Sequence, residues 1–135
     1  MKNLTSLLFL LCLIEFATAQ TNTTQGVGTG TLGYYNSLFG YYAGNQMGGN
    51  FNTGVGAFSL RNNSEGYYNT ALGAYSLYYN TEGSKNVALG YNTLRNNTSG
   101  FENIAVGYDV LRNNTYGYKN TAVGHRAANS NTDGD

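Results

Sequence analysis

From Asn36 onward, large and small side chains alternate in short bursts. Asn103-Ile104-Ala105-Val106-Gly107-Tyr108 places larger groups second, fourth and sixth and small ones third and fifth, the period of an extended strand with two different faces. The burst recurs in units that begin at Asn36, Asn52, Asn69, Asn86, Asn103 and Asn120, the first 16 residues apart and the next four 17. A chain that merely favours a few residue types has no reason to hold such a register, so these residues predict a repeat architecture rather than a disordered tract.

Numbering each unit from its asparagine gives columns that specify the unit. The fifth column is glycine in all six units: Gly40, Gly56, Gly73, Gly90, Gly107 and Gly124. The ninth is Leu60, Leu77, Leu94 and Leu111, with Gly44 and Ala128 in the end units, and the fourth is Phe39, Val55, Leu72, Leu89, Val106 and Val123. Both apolar columns are expected in the core. The thirteenth carries Ser64, Thr81, Thr98, Thr115 and Thr132, and the fifteenth Gly66, Gly83, Gly100, Gly117 and Gly134.

A 17-residue unit is too short for helical-pair repeats. The expected fold is all-β: a parallel β-roll, or β-solenoid, of about six coils, each with two short strands and two turns. Runs such as Asn113-Asn114-Thr115-Tyr116-Gly117 are turn chemistry, since Asn tolerates left-handed backbone and Gly adopts positive φ freely. Coils about 4.8 Å apart would make a rod about 29 Å long. Stacking in register also constrains charge, because equivalent residues face each other as cross-strand pairs do. Column seventeen accordingly alternates Lys85, Glu102, Lys119, and column seven sets Asp109 beside Arg126. The like pairs Glu65 with Glu82 and Arg95 with Arg112 are expected on solvated turns, where screening makes them cheap.

The N-terminal part reads differently. Met1 and Lys2 precede an almost wholly apolar run from Leu4 to Ile14, and Ala17-Thr18-Ala19 supplies a small-x-small cleavage pattern before Gln20. Residues 1–19 therefore read as a secretory signal peptide, too short to span a bilayer. Cys12 lies inside that run without the small residue that a lipoprotein signal places before its cysteine. Gln20 to Tyr35, rich in Thr and Gly, is a linker or an imperfect first coil, and 36–135 are the repeats. The chain ends one residue after Gly134, mid-repeat and without a distinct cap, which reads as a truncated product.

Composition narrows the function classes. Nineteen glycines, thirteen tyrosines, no proline and one cysteine exclude collagen and a disulfide scaffold. The absence of proline suits a structure made of ladders. Seven basic and seven acidic residues give zero net charge, and losing Lys2 and Glu15 with the signal keeps the mature chain neutral. It carries no basic footprint for nucleic acid and no second apolar run for a membrane.

No catalytic constellation stands out, and no cofactor or metal is expected. His125 is the one imidazole, with no nucleophile placed beside it, and reads as a ladder residue. The carboxylates are scattered rather than set in calcium-binding nonapeptides. Gly26-Val27-Gly28-Thr29-Gly30 lacks the Lys-Ser/Thr of a phosphate loop. Glycosylation sequons occur at Asn22, Asn62, Asn96, Asn97 and Asn113, but three of them recur at one turn position. The tyrosines Tyr75, Tyr91, Tyr108 and Tyr118 are the best candidate binding surface, since exposed aromatic rings suit sugars, matrix proteins or other chains. Packing between coils is the competing role. A Ser/Thr column once per coil also raises an ice-binding solenoid, although a flat Thr-x-Thr array is missing.

The unit Asn-(Thr/Ile/Val)-Ala-(Val/Leu)-Gly, over Asn36 to Gly134, resembles the head repeats of YadA-like trimeric autotransporter adhesins. It is also similar to Asn-Thr-Ala-x-Gly-Tyr arrays in bacterial surface proteins and phage fibres. The unit is longer and richer in Tyr than the adhesin pattern, and no stalk, anchor barrel or chaperone domain accompanies it. The resemblance implies an exported, extracellular or cell-surface bacterial module, non-catalytic, that mediates attachment or builds fibres, with a phage-fibre segment as the alternative. It further implies self-association, as a trimer, and a glycan or matrix ligand. The small face of Ala71, Ala88, Ala105 and Ala122 beside the glycine column would admit the second chain.

Overall fold

The computed structural model describes residues 23–26 and 33–134. The signal peptide read over 1–19 lies outside the described residues, as do Asn22, most of the Gly26–Gly30 run and Asp135. Seven strands of three residues each form one parallel sheet: β1 (Thr23–Gln25), β2 (Ser37–Phe39), β3 (Thr53–Val55), β4 (Thr70–Leu72), β5 (Val87–Leu89), β6 (Ile104–Val106) and β7 (Thr121–Val123). Each strand pairs only with its neighbours in sequence, in the order β1 to β7. The molecule is an all-β solenoid. Strand β1, within the stretch read as a linker or imperfect first coil, pairs with β2.

Register follows the columns. Thr70, Ala71 and Leu72 face Val87, Ala88 and Leu89, which face Ile104, Ala105 and Val106. Each coil contributes one regular strand rather than the two expected, because left-handed residues interrupt extended backbone elsewhere. Seventeen non-glycine residues have φ between 46° and 61°, and every one falls in column seven, nine or seventeen. Tyr42, Phe58, Tyr75, Asn92, Asp109 and Arg126 fill the seventh column, Leu60 to Ala128 the ninth, and Tyr35 to Lys119 the seventeenth. None is β-branched, the class for which this conformation is most strained.

The expectation that asparagine supplies the left-handed turns is thus corrected. Among the described asparagines only Asn92 has positive φ, and Gly117 does not. Such backbone costs about 1–2 kcal/mol per residue. It persists because each left-handed N–H from Phe51 to Arg126 donates to a carbonyl of an adjacent coil: Asp109 to Tyr91 at 3.0 Å, Leu94 to Val110 at 3.0 Å, Lys119 to Phe101 at 3.0 Å. The chain turns corners without surrendering the ladder.

The interior is narrow. Leu60, Leu77, Leu94 and Leu111 are fully buried, as the ninth column predicts, together with Leu38, Ala71, Ala88 and Ala105 of the third. The fourth column is not core. Val55, Leu72 and Val123 are exposed, because side chains alternate along each strand and the narrow interior takes the small partner, leaving the larger one outside. The alanine face expected to receive a second chain is therefore inside the molecule and cannot be a contact surface.

Two asparagine ladders line the same interior. Asn86 Oδ1 accepts from the backbone N–H of Asn103 at 3.0 Å, and its Nδ2 donates to the Gly100 carbonyl at 2.8 Å and to Asn69 Oδ1 at 3.2 Å. Asn52, Asn69, Asn103 and Asn120 repeat the pattern. The twelfth column forms the second ladder: Asn97 Nδ2 donates to Asn80 Oδ1 at 2.7 Å and to the same Gly100 carbonyl at 2.9 Å. Both columns are buried from Asn63 to Asn114. These amides make the bonds that burial demands.

Glycine has two separate reasons. In the fifth column φ runs from 119° to 139°, and a Cβ on Gly90 would lie 1.8 Å from the Gly107 carbonyl oxygen. Gly56, Gly73 and Gly107 face the same obstruction from the next coil, while Gly124 meets nothing within 4 Å.

Candidate functional site

Stacking identical columns turns a side chain that recurs once per coil into a file running along the rod. On the corner built by columns six and seven, six rings follow one another. Tyr42 stacks on Phe58 (5.9 Å between centroids), Phe58 on Tyr75 (5.0 Å), Tyr75 meets Tyr91 edge-on (5.9 Å), Tyr91 stacks on Tyr108 (5.4 Å) and Tyr108 on His125 (5.3 Å). The file changes column midway. Coils beginning at Asn52 and Asn69 have Ala57 and Ala74 in column six and a ring in column seven, whereas the next two carry Tyr91 and Tyr108 in column six and Asn92 and Asp109 in column seven. The edge-on contact of Tyr75 with Tyr91 marks the change.

Column ten lies over this file, three residues beyond column seven. Arg61 sits over the rings of Tyr42, Phe58 and Tyr78, and Arg95 over Tyr75, Tyr78 and Tyr79, all between 5.5 and 5.9 Å. Arg61 also donates to the hydroxyl of Tyr78. Contacts of this kind are worth about 0.5–1 kcal/mol each where exposed and more when desolvated. Arg95 and Arg112, expected on solvated turns, are instead half-buried, and Arg112 lies 4.0 Å from Asp109, as does Arg126.

Of the four tyrosines singled out as a binding surface, three join in this file. Tyr91 and Tyr108 are exposed and Tyr75 is half-buried. Tyr118 stands apart in column sixteen, stacked on Phe101 at 4.9 Å with Lys119 over its ring at 5.8 Å. A third stack, Tyr35–Phe51–Tyr68, occupies column seventeen. Among the described residues no ring contact joins either of these to the file. Sequence reasoning missed Tyr42, Phe58, Tyr78, Tyr79, Arg61 and Arg95 as members of the site. The signal was present in the exchange between columns six and seven, which only shows when neighbouring columns are read together.

The rings lie nearly parallel, with interplanar angles of 10° to 18° at the four stacked steps of the file, so their π faces are largely spent on one another. Tyr91 and Tyr108 nonetheless remain exposed. The hydroxyls of Ser64, Thr81, Thr98 and Thr115 donate to the carbonyl of the next coil's thirteenth residue at 3.0 to 3.1 Å. Asn97 is fully buried, and Asn96 donates to Asn113. No group of three or more His, Cys, Asp or Glu comes together among the described residues. No helix among them is long and apolar enough to cross a membrane.

Comparison with protein-family models, curated proteins and solved structures found no match.

Proposed function

We propose that this chain is an exported, non-catalytic attachment module, an adhesin-like solenoid that presents one aromatic corner to a surface or to further copies of itself. The observation that carries the reading is the six-ring file from Tyr42 to His125 with Arg61 and Arg95 seated over it. A rigid backbone of in-register ladders holds these groups at fixed spacing, the arrangement that multivalent contact requires. His125 is occupied in a stack on Tyr108, which supports a structural role for the one imidazole.

The test couples the full chain to beads and measures retention under flow on collagen-, fibronectin- and polysaccharide-coated surfaces, with light scattering for self-association. Retention on at least one surface, weakened in Tyr91→Phe/Tyr108→Phe, is the expected result. These changes keep the stack and remove the hydroxyls. Retention no greater than that of albumin-coated beads on every surface, from a chain that stays monomeric, overturns the reading.

A further inference from the structure

The protein is neutral as a whole, but its charges are sorted by corner. All four arginines of the chain, Arg61, Arg95, Arg112 and Arg126, lie in columns seven and ten on the aromatic corner, opposed there only by Asp109, a balance of +3. Among the described residues, columns thirteen to seventeen hold Glu65, Glu82, Glu102 and Asp133 against Lys85 and Lys119, a balance of −2. Columnar stacking converts this sorting into two charged lines along the rod. Nothing in the net charge shows it.

The arginine line is incompletely satisfied. Asp109 lies 4.0 Å from Arg112 and from Arg126, while Arg61 and Arg95 have no ion pair among the described residues. The Nε groups of Arg61, Arg95 and Arg112 are buried without a hydrogen-bond partner. Rings hold Arg61 and Arg95 in place, so little side-chain freedom remains to be lost when an anion arrives. Arg95 and Arg112 are one coil apart and Arg61 is two coils before Arg95, multiples of a spacing of about 4.8 Å.

Resting on the attachment reading above, we propose that the ligand of this corner is an extended acidic polysaccharide, a polyuronate, lying parallel to the rod. Such a polymer carries a carboxylate on every sugar unit, so several of them can meet arginines that lie one and two coils apart. Guanidinium groups take carboxylates in bidentate fashion, and the exposed Tyr91 and Tyr108 carry hydroxyls that sugar hydroxyls can pair with. A single-stranded nucleic acid fits less well, because it binds such surfaces by stacking bases on aromatic faces, and these faces already cover one another.

The full chain is run by affinity electrophoresis through gels containing polygalacturonate, unsubstituted dextran or oligothymidylate. The proposal expects retardation by polygalacturonate alone, relieved by salt, and weakened about tenfold in Arg95→Gln, the scale of one lost charge-assisted partner. Arg126→Gln, at an exposed position, should weaken binding with an unchanged circular dichroism spectrum, and Arg95→Lys should restore part of what Arg95→Gln loses. Lys119→Gln, on the other corner, should change nothing. Equal retardation by dextran, tighter binding of oligothymidylate, or equal loss in Lys119→Gln overturns the ligand class. So does no retardation by any polymer, while bead retention on collagen or fibronectin would still leave the attachment reading standing.

Discussion

Leu38 fills the room that Gly44 leaves empty: a Cβ built on Gly44 would stand 2.5 Å from Cδ1 of Leu38. In the coils beginning at Asn69, Asn86 and Asn103 the sizes are reversed, with Ala71, Ala88 and Ala105 in the third column and Leu77, Leu94 and Leu111 in the ninth. Across columns three and nine of the coils from Asn36 to Asn103 there is thus one leucine, delivered from either wall. Leu38 also crowds the next coil, since a Cβ on Gly54 would lie 3.0 Å from its Cδ2.

That exchange predicts a non-additive pair. Leu38→Ala should cost about 2–5 kcal/mol as a large-to-small core change, and Gly44→Leu about 1–3 kcal/mol through overpacking. The double variant should be more stable than their sum, because leucine at the ninth position over alanine at the third is the arrangement of the later coils. Chemical denaturation of the four proteins measures the coupling. Strict additivity would mean that the two side chains do not share one space.

At Gly90 the φ of 123° and the 1.8 Å approach to the Gly107 oxygen act together. Gly90→Val should therefore cost several kcal/mol, combining backbone strain of about 1–3 kcal/mol with displacement of the neighbouring coil. Thr70→Val is the matched control, because valine already occupies that column at Val87. It should stay within about 0.5 kcal/mol. Asn92, which looks like an indifferent turn residue in the sequence, is a poor control: it is buried with φ of 55°, so a β-branched substituent there is strained too. Melting by circular dichroism ranks the three, and a Gly90→Val protein as stable as Thr70→Val would remove the account of this column.

The coil, its period and its glycine and asparagine columns were readable in the sequence because geometry admits one residue type there. A Cβ would strike carbonyls at column five from Gly40 to Gly107, and the amide at column one reaches one coil to accept and a glycine carbonyl to donate. The left-handed columns could not be read. Their occupants range from Tyr75 to Asp109 and from Lys85 to Glu102, and the shared property is a missing one, β-branching. The fourth column was misread because hydrophobicity pointed to the larger of two alternating side chains, whereas the width of the interior selects the smaller. The aromatic site was half readable: Tyr91 and Tyr108 share a column, but Phe58 and Tyr75 reach them only by crossing to the next one.

Which face of the strand is buried can be tested directly. Leu72→Thr, on the exposed face, should change stability by less than about 1 kcal/mol, the usual range for surface positions. Ala88→Leu, at a fully buried position between Ala71 and Ala105, should cost about 1–3 kcal/mol or more by forcing adjacent coils apart. Denaturant midpoints decide between them. If Leu72→Thr proved the more damaging, the fourth column would be core after all.

The asparagine ladder sets the last expectation, and its size follows from counting partners. Replacing Asn86 by alanine strands the buried N–H of Asn103, which has Asn86 Oδ1 as its acceptor at 3.0 Å. The Gly100 carbonyl keeps a second donor, Asn97 Nδ2 at 2.9 Å, so it is not orphaned. One unsatisfied buried group costs about 1–3 kcal/mol, and the loss for Asn86→Ala should fall there rather than at twice that value. Removing Asn97 as well strips the carbonyl of both side-chain donors, so Asn86→Ala/Asn97→Ala should lose more than the sum of the single changes. Asn96→Ala, at a half-buried residue whose side chain donates to that of Asn113, should cost markedly less than either. Hydrogen exchange at the Asn103 amide reports the same event locally, since that proton should exchange far faster in Asn86→Ala while amides two coils away keep their protection. An unchanged Asn103 exchange rate would show that another acceptor takes over and that the ladder is dispensable at this rung.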